Sequence, residues 1–161
     1  IKTRRGRGKD AVVDGIVFEH IRMDHVMTPF VINCFYYCDP DGHSEYVRTK
    51  KALPVDDRTP LIKSLCFKDI EAGNCHVAAA YMYGLPEQRI GRVEMEHVRV
   101  TYASSAREGQ PAMMDGCDTH ICRMGIYANQ IEELVLEDVK VEGQDGPALI
   151  TENIGRVSGS I

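Results

Sequence analysis

The sequence predicts an all-β chain and, within that class, a right-handed, single-stranded parallel β-helix. Three observations carry the prediction. A short motif recurs four times, apolar residues alternate with period two, and Gly and Pro fall too often for long helices. The copies are Val17-Phe18-Glu19-His20-Ile21-Arg22-Met23, Cys66-Phe67-Lys68-Asp69-Ile70-Glu71-Ala72, Glu94-Met95-Glu96-His97-Val98-Arg99-Val100 and Val135-Leu136-Glu137-Asp138-Val139-Lys140-Val141. Each runs apolar, charged, His or Asp, β-branched, variable, apolar. The closing alternation is strand periodicity with one buried face.

The spacing of the copies predicts how they stack. Phe67 and Met95 are 28 residues apart, one turn of a solenoid with a modest loop, and the longer intervals hold insertions. These insertions run from Asp39 to Pro60, rich in Asp, Pro and Gly, and from Ala103 to Gln110, followed by a turn over Asp115 to Cys122. Parallel strands joined by such turns place equivalent residues about 4.8 Å apart. Phe18, Phe67, Met95 and Leu136 are then equivalent, and Ile21, Ile70, Val98 and Val139 form an internal ladder. Burying each such side chain contributes roughly 1.5–3 kcal/mol. A β-sandwich is the alternative, but it gives no reason for one motif to recur in register.

Further apolar stretches follow each copy: Phe30 to Tyr36, His76 to Tyr83, Pro111 to Met114 and Pro147 to Ile150. They predict two or more short strands per coil. The segment from Ile126 to Val141 has the length of a helix, but its β-branched residues and the break at Asn129 predict strand. The whole of residues 1–161 reads as part of one domain, long enough for a real core.

Charge and composition narrow the functional classes. A net charge of −5 argues against a general nucleic-acid binder. Nothing approaches the run of about 20 apolar residues that spans a membrane. No cofactor motif is present: Gly6-Arg7-Gly8 lacks the spacing and helix of a phosphate loop, and Ser158 sits one position late for a nucleophile elbow. The six cysteines, at 34, 38, 66, 75, 117 and 122, fit no small disulfide framework and read as mostly free thiols. Cys117 and Cys122 lack the second ligand pair of a structural zinc site, so no metal is expected. His20 and His97, with Asp69 and Asp138 at the equivalent positions, read as polar residues near a turn or on the exterior. His25, His43 and His76 show no partner pattern.

The basic opening is the candidate functional element. Lys2, Arg4, Arg5, Arg7 and Lys9 fall within nine residues, ahead of a strand-rich stretch. A solvated turn and a recognition site for an anionic polymer are both consistent with such a cluster.

With these features in view, Ile1-Lys2-Thr3, the Gly6-Arg7-Gly8 turn, the segment from Asp14 to Ile21 and the run from Pro29 to Tyr36 resemble the polygalacturonases, glycoside hydrolase family 28. The similarity continues through Thr59-Pro60, the turn from Tyr83 to Glu87, Pro111 to Met114 and Val139 to Leu149. The resemblance implies the C-terminal coils of a pectin-lyase-like β-helix and a substrate of α-1,4-linked galacturonate, an anionic polysaccharide. It implies that Lys2, from the family's Arg-Ile-Lys motif, binds a sugar carboxylate by a charge-assisted hydrogen bond. Tyr36 would line the same subsite, with Tyr37 in its place if the alignment slips by one. Arg4, Arg5 and Arg7 would add positive field without contacts.

The family hydrolyses with inversion, using Asp residues in Asn-Thr-Asp and Asp-Asp motifs across a gap of roughly 6.5–9.5 Å. Those motifs and a Gly-His-Gly precede Arg-Ile-Lys in the family's order, and none occurs here. Asp56-Asp57 follows the Lys motif in a Pro-rich loop and is not expected to be the catalytic pair. The resemblance therefore implies catalytic residues upstream of Ile1. It also implies a chain that binds substrate without hydrolysing it and exposes apolar core at its N-terminal end. A non-catalytic carbohydrate-binding or adhesin-like solenoid is the alternative. Secreted, periplasmic and cytoplasmic locations and the oligomeric state are left open.

Overall fold

The computed structural model describes residues 1–161. With 53% of residues in strands and 5% in helix, the chain is all-β, built around a curled parallel sheet. The strands are β1 (Val12–Val13), β2 (Ile16–Asp24), β3 (Phe30–Asn33), β4 (Leu61–Ile62), β5 (Ser64–Cys75), β6 (Ala78–Tyr83), β7 (Ile90–Tyr102), β8 (Met124–Glu142) and β9 (Leu149–Gly159). The main sheet runs β2-β5-β7-β8-β6-β3, with β9 on the outer edge of β8, while β1 and β4 form a separate pair. The order doubles back at β8 because the two halves of that strand have different partners. Met124 to Asn129 pair with β6, and Ile131 to Glu142 pair with β7. Gln130, at φ 59°, stands between them, so one strand serves two walls.

The repeats fall in register as their sequences predict. Phe18 pairs with Phe67, Phe67 with Met95 and Met95 with Leu136. Ile21, Ile70, Val98 and Val139 align in the same way. The inner members Phe67, Met95, Ile70 and Val98 are buried, each adding a buried aliphatic or aromatic side chain to the core. A facing wall comes from Phe30, Ala80 and Ile126 and from Ile32, Met82 and Ala128. The Phe30 ring meets the Phe67 ring edge-on at 5.2 Å, and Phe67 stacks on Phe18 at 5.3 Å. Both walls therefore close on one core.

The polar position of the repeat has a backbone cause. His20, Asp69, His97 and Asp138 all take left-handed conformations, with φ between 48° and 55°. Asp, Asn and His tolerate this region better than other residues with a Cβ. The row bends the strands, and its side chains lie outside. Asp69 accepts from His97 Nδ1 at 3.0 Å and lies 3.5 Å from His20 Nδ1, in a shallow groove of about 560 Å³ that Arg22 and Arg99 also line.

One expectation needs correction, and two further features add to the sequence reading. Pro111 to Met114 form a turn, and the second strand of that layer is the first half of β8. The insertion after Asp39 holds a short 3₁₀ turn (Pro40–His43) and one helical turn, α1 (Glu45–Arg48). Ser44 Oγ caps α1 by accepting from Val47 N at 3.4 Å, a signal present in the sequence. Finally, β9 begins a fifth layer, with Val157 and Gly159 on the register of Leu134 and Leu136.

At the opposite end, β2 and β3 are edge strands. Phe18, Ile21, Met23, Phe30 and neighbouring apolar residues leave an apolar concavity of about 240 Å³ there. The six cysteines are free; burial pushes the Cys34 thiol up to about 12 and the Cys75 thiol to about 11, which makes both inert small hydrophobes. No helix is long and apolar enough to cross a membrane.

Candidate functional site

Strand β3 positions the site. Ile1 to Thr3 lie alongside it: Asn33 N donates to the Ile1 carbonyl at 3.0 Å and Thr3 N to the Asn33 carbonyl at 2.8 Å. The terminal ammonium of Ile1 donates to the Val31 carbonyl at 2.8 Å. These bonds fix Lys2 beside Asn33 and aim its side chain at Tyr36. Lys2 Nζ donates to Tyr36 Oη at 3.0 Å and stands 4.0 Å from the centre of the ring. The two residues singled out in the sequence are therefore brought together. Tyr37 is not part of this contact, since its hydroxyl donates to Gln110 at 3.3 Å and its ring stacks on His43.

A concavity of about 470 Å³ opens here, lined by Ile1, Lys2, Val31, Asn33, Tyr36 and Met113. That volume lies in the range of small-molecule sites, roughly 300–1,000 Å³. Asn33 acts as a strut: its amide donates to the Met113 carbonyl at 2.9 Å and accepts from Phe35 N at 2.8 Å. Lys2 and Tyr36 are the groups left to act. An ammonium has three donors and the phenol one, and the single bond between them uses only one of the four. Both can donate to one carboxylate while Ile1, Val31 and Met113 face an apolar surface. The hydrogen bond to Tyr36 raises the Lys2 pKa, so Lys2 is cationic at neutral pH.

The other cations of the opening behave differently, and two of them correct the sequence reading. Arg5 is 1% exposed. It grips Glu87 through Nε to Oε1 at 2.5 Å and Nη2 to Oε2 at 2.9 Å. It also donates to the carbonyls of Tyr46, Val47, Thr49 and Lys51. Arg4, also buried, donates to Asp39 and Asp41 at 2.8 Å each and to the Tyr36 carbonyl. These arginines are structural clamps that hold the 36–51 insertion against the sheet, not a diffuse field. Arg4 holds the Asp39 carboxyl below its usual range. Arg7 also reaches Asp39, and Lys9 reaches Asp57.

Asp56 and Asp57 have local duties. The Asp56 carboxylate accepts from the guanidinium and from the backbone N–H of Arg58, and this lowers its pKa. Neither lines the Lys2 concavity. His43 pairs with Asp115 at 3.2 Å and His25 with Asp24 at 2.8 Å, while His76 is buried. The role of Glu87 escaped the sequence reading because its partner lies 82 residues away.

Comparisons with family models, curated proteins and solved structures find no match.

Proposed function

We propose that the Lys2–Tyr36 concavity binds a galacturonate unit of a pectin-type polysaccharide. The chain would then be one wall of an inverting, polygalacturonase-like glycoside hydrolase. On this reading the curled sheet is the C-terminal part of a right-handed parallel β-helix. The observation that carries it is electrostatic. Arg4, Arg5, Arg7 and Lys9 each meet a carboxylate of the chain, whereas Lys2 is exposed and its partner is a neutral phenol. Lys2 is thus the cation of the opening available to an external anion. A charge-assisted hydrogen bond contributes about 1.5–3 kcal/mol, enough to select a uronate over a neutral hexose.

One observation favours the second reading, a non-catalytic carbohydrate-binding solenoid: no carboxylate lines the concavity. Both readings expect trigalacturonate to bind and galactose oligomers to bind at least about tenfold more weakly, which calorimetry measures. Equal affinity for the two would sink both. They part on the coding sequence ahead of Ile1. Arg immediately before it, with Asn-Thr-Asp, Asp-Asp and Gly-His-Gly further upstream, supports the hydrolase. A start without those motifs supports the binding module.

A further inference from the structure

The two ends of the curled sheet carry opposite charges on one column. Lys2, Asn33, Tyr83, Asn129 and Glu152 share a register, one residue per layer. Lys2 opens the column with a neutral phenol as its partner. Glu152 closes it and has no cation beside it. It is exposed, and its Oε2 accepts from Tyr127 Oη at 3.1 Å and from Asn129 Nδ2 at 2.9 Å, which leaves Oε1 free. A second column runs Ile16, Leu65, Val93, Leu134 and Val157. Its three middle members are buried, whereas Ile16 is 38% and Val157 41% exposed. The outer edges of β2 and β9 pair with no other strand, and such edges are templates for another chain.

We propose that copies of the chain 1–161 stack head to tail, β9 of one copy adding as a parallel strand to β2 of the next. One further layer in the same register sets the Glu152 carboxylate of the first copy beside the Lys2 ammonium of the second. The strand spacing of about 4.8 Å puts the two side chains within reach of a charge-assisted hydrogen bond. The same step lays Val157 on Ile16. Leu149 continues the register of Phe30, Ala80 and Ile126, so it comes over the apolar concavity beside Phe30. The contact is heterologous, which leaves one edge of each kind open and lets the stack grow. An isologous pair joins like ends instead and leaves Lys2 or Glu152 unmatched. The inference goes beyond the galacturonate reading and does not rest on it, since it needs Lys2 exposed rather than a sugar site. A coil ahead of Ile1 takes the same edge, so the stack belongs to residues 1–161 with that edge open.

The test is sedimentation velocity of the chain over a concentration series, with a thermal melt of each variant. The expected result is an average mass that climbs past the dimer as concentration rises and falls back with added salt. Lys2→Glu and Glu152→Lys should each weaken association at least about tenfold. Mixed in equal amounts, the two variants should associate as the parent does, because every contact in an alternating stack pairs opposite charges. The double variant should do the same alone, a rescue that misfolding cannot give. A parent chain that stays monomeric, a single variant that associates like the parent, or a mixture that does not grow would overturn the proposal. Growth that stops at the dimer would overturn it too, in favour of like ends pairing. Trigalacturonate affinity, measured below the association range, is a separate readout and moves with none of these outcomes.

Discussion

The Lys2 concavity and the Arg5 clamp lie three residues apart on one segment, and they differ in what each cation faces. Arg5 has spent its donors on Glu87 and four backbone carbonyls, away from water. Lys2 is exposed, and one hydrogen bond to Tyr36 is its side-chain contact. The first cation organises the 36–51 insertion, and the second is left for something outside the chain. A cluster of like charges in a sequence can thus divide into structural and recognition members, and the nearest carboxylate decides which is which.

The largest expected effect comes from breaking the clamp. Removing one partner of a buried ion pair strands the other, at a cost of about 3–5 kcal/mol. Arg5→Ala should lower unfolding stability by that amount in urea titrations. Arg5→Lys should recover little, since an ammonium cannot make the bidentate contact with Glu87. A loss under about 1 kcal/mol would make Arg5 an ordinary surface cation.

Shortening the ladder comes next. Leu134 is fully buried and pairs with Val93 and Val157. Leu134→Ala should cost about 2–5 kcal/mol by leaving a cavity. The same substitution at Val157, 41% exposed at the edge, should stay within about 0.5 kcal/mol. Equal losses at the two sites would mean that the ladder is not what supports the core.

Lys50 gives a smaller effect with a defined sign. Its folded pKa is about 8, below the unfolded value of about 10.4. Between those pH values the unfolded chain binds the extra proton, so this group makes stability rise with pH from about 8 to about 10.4. Below pH 8 both states carry the charge and the fold bears its full burial cost. Lys50→Met should therefore stabilise by about 1–2 kcal/mol at pH 7 and have no such advantage above pH 10. Paired thermal melts at pH 7 and pH 10 would show it; the same gain at both would exclude titration as the cause.

The charge pairing of Arg4 with half-exposed Asp39 should give the smallest change, present at neutral pH and fading in acid. The Asp39 pKa is lowered, so its contribution is present above the unfolded carboxylate range and lost as pH falls through the folded value. Arg4→Gln should flatten that part of the acid limb in melts between pH 5 and 2.

The ladder was legible in the sequence and the clamps were not, for a physical reason. Phe67, Met95 and Leu136 share a register because strand periodicity is local and repeats along the chain. The His or Asp of each repeat was legible as polar, but its left-handed backbone becomes apparent only once the strands bend. The pairing of Lys2 with Tyr36 came from the resemblance to a family, and the structure brings the two side chains into contact. Arg5 looked like its neighbours because nothing local marks a cation whose carboxylate arrives 82 residues later. Pro111 to Met114 misled for the opposite reason. They are apolar like a strand, but Ala112 and Met114 are buried beneath a turn.

The central claim is that Lys2, alone among the cations of the opening, is kept for an external carboxylate. The direct measurement is calorimetric titration of trigalacturonate into the chain and into its Lys2→Ala variant, with a thermal melt of each. The account predicts binding by the parent chain, at least about tenfold weaker binding by the variant, and melting temperatures that coincide. Equal affinity in the two chains, or a variant that binds normally but melts early, would contradict it and make Lys2 one more structural cation.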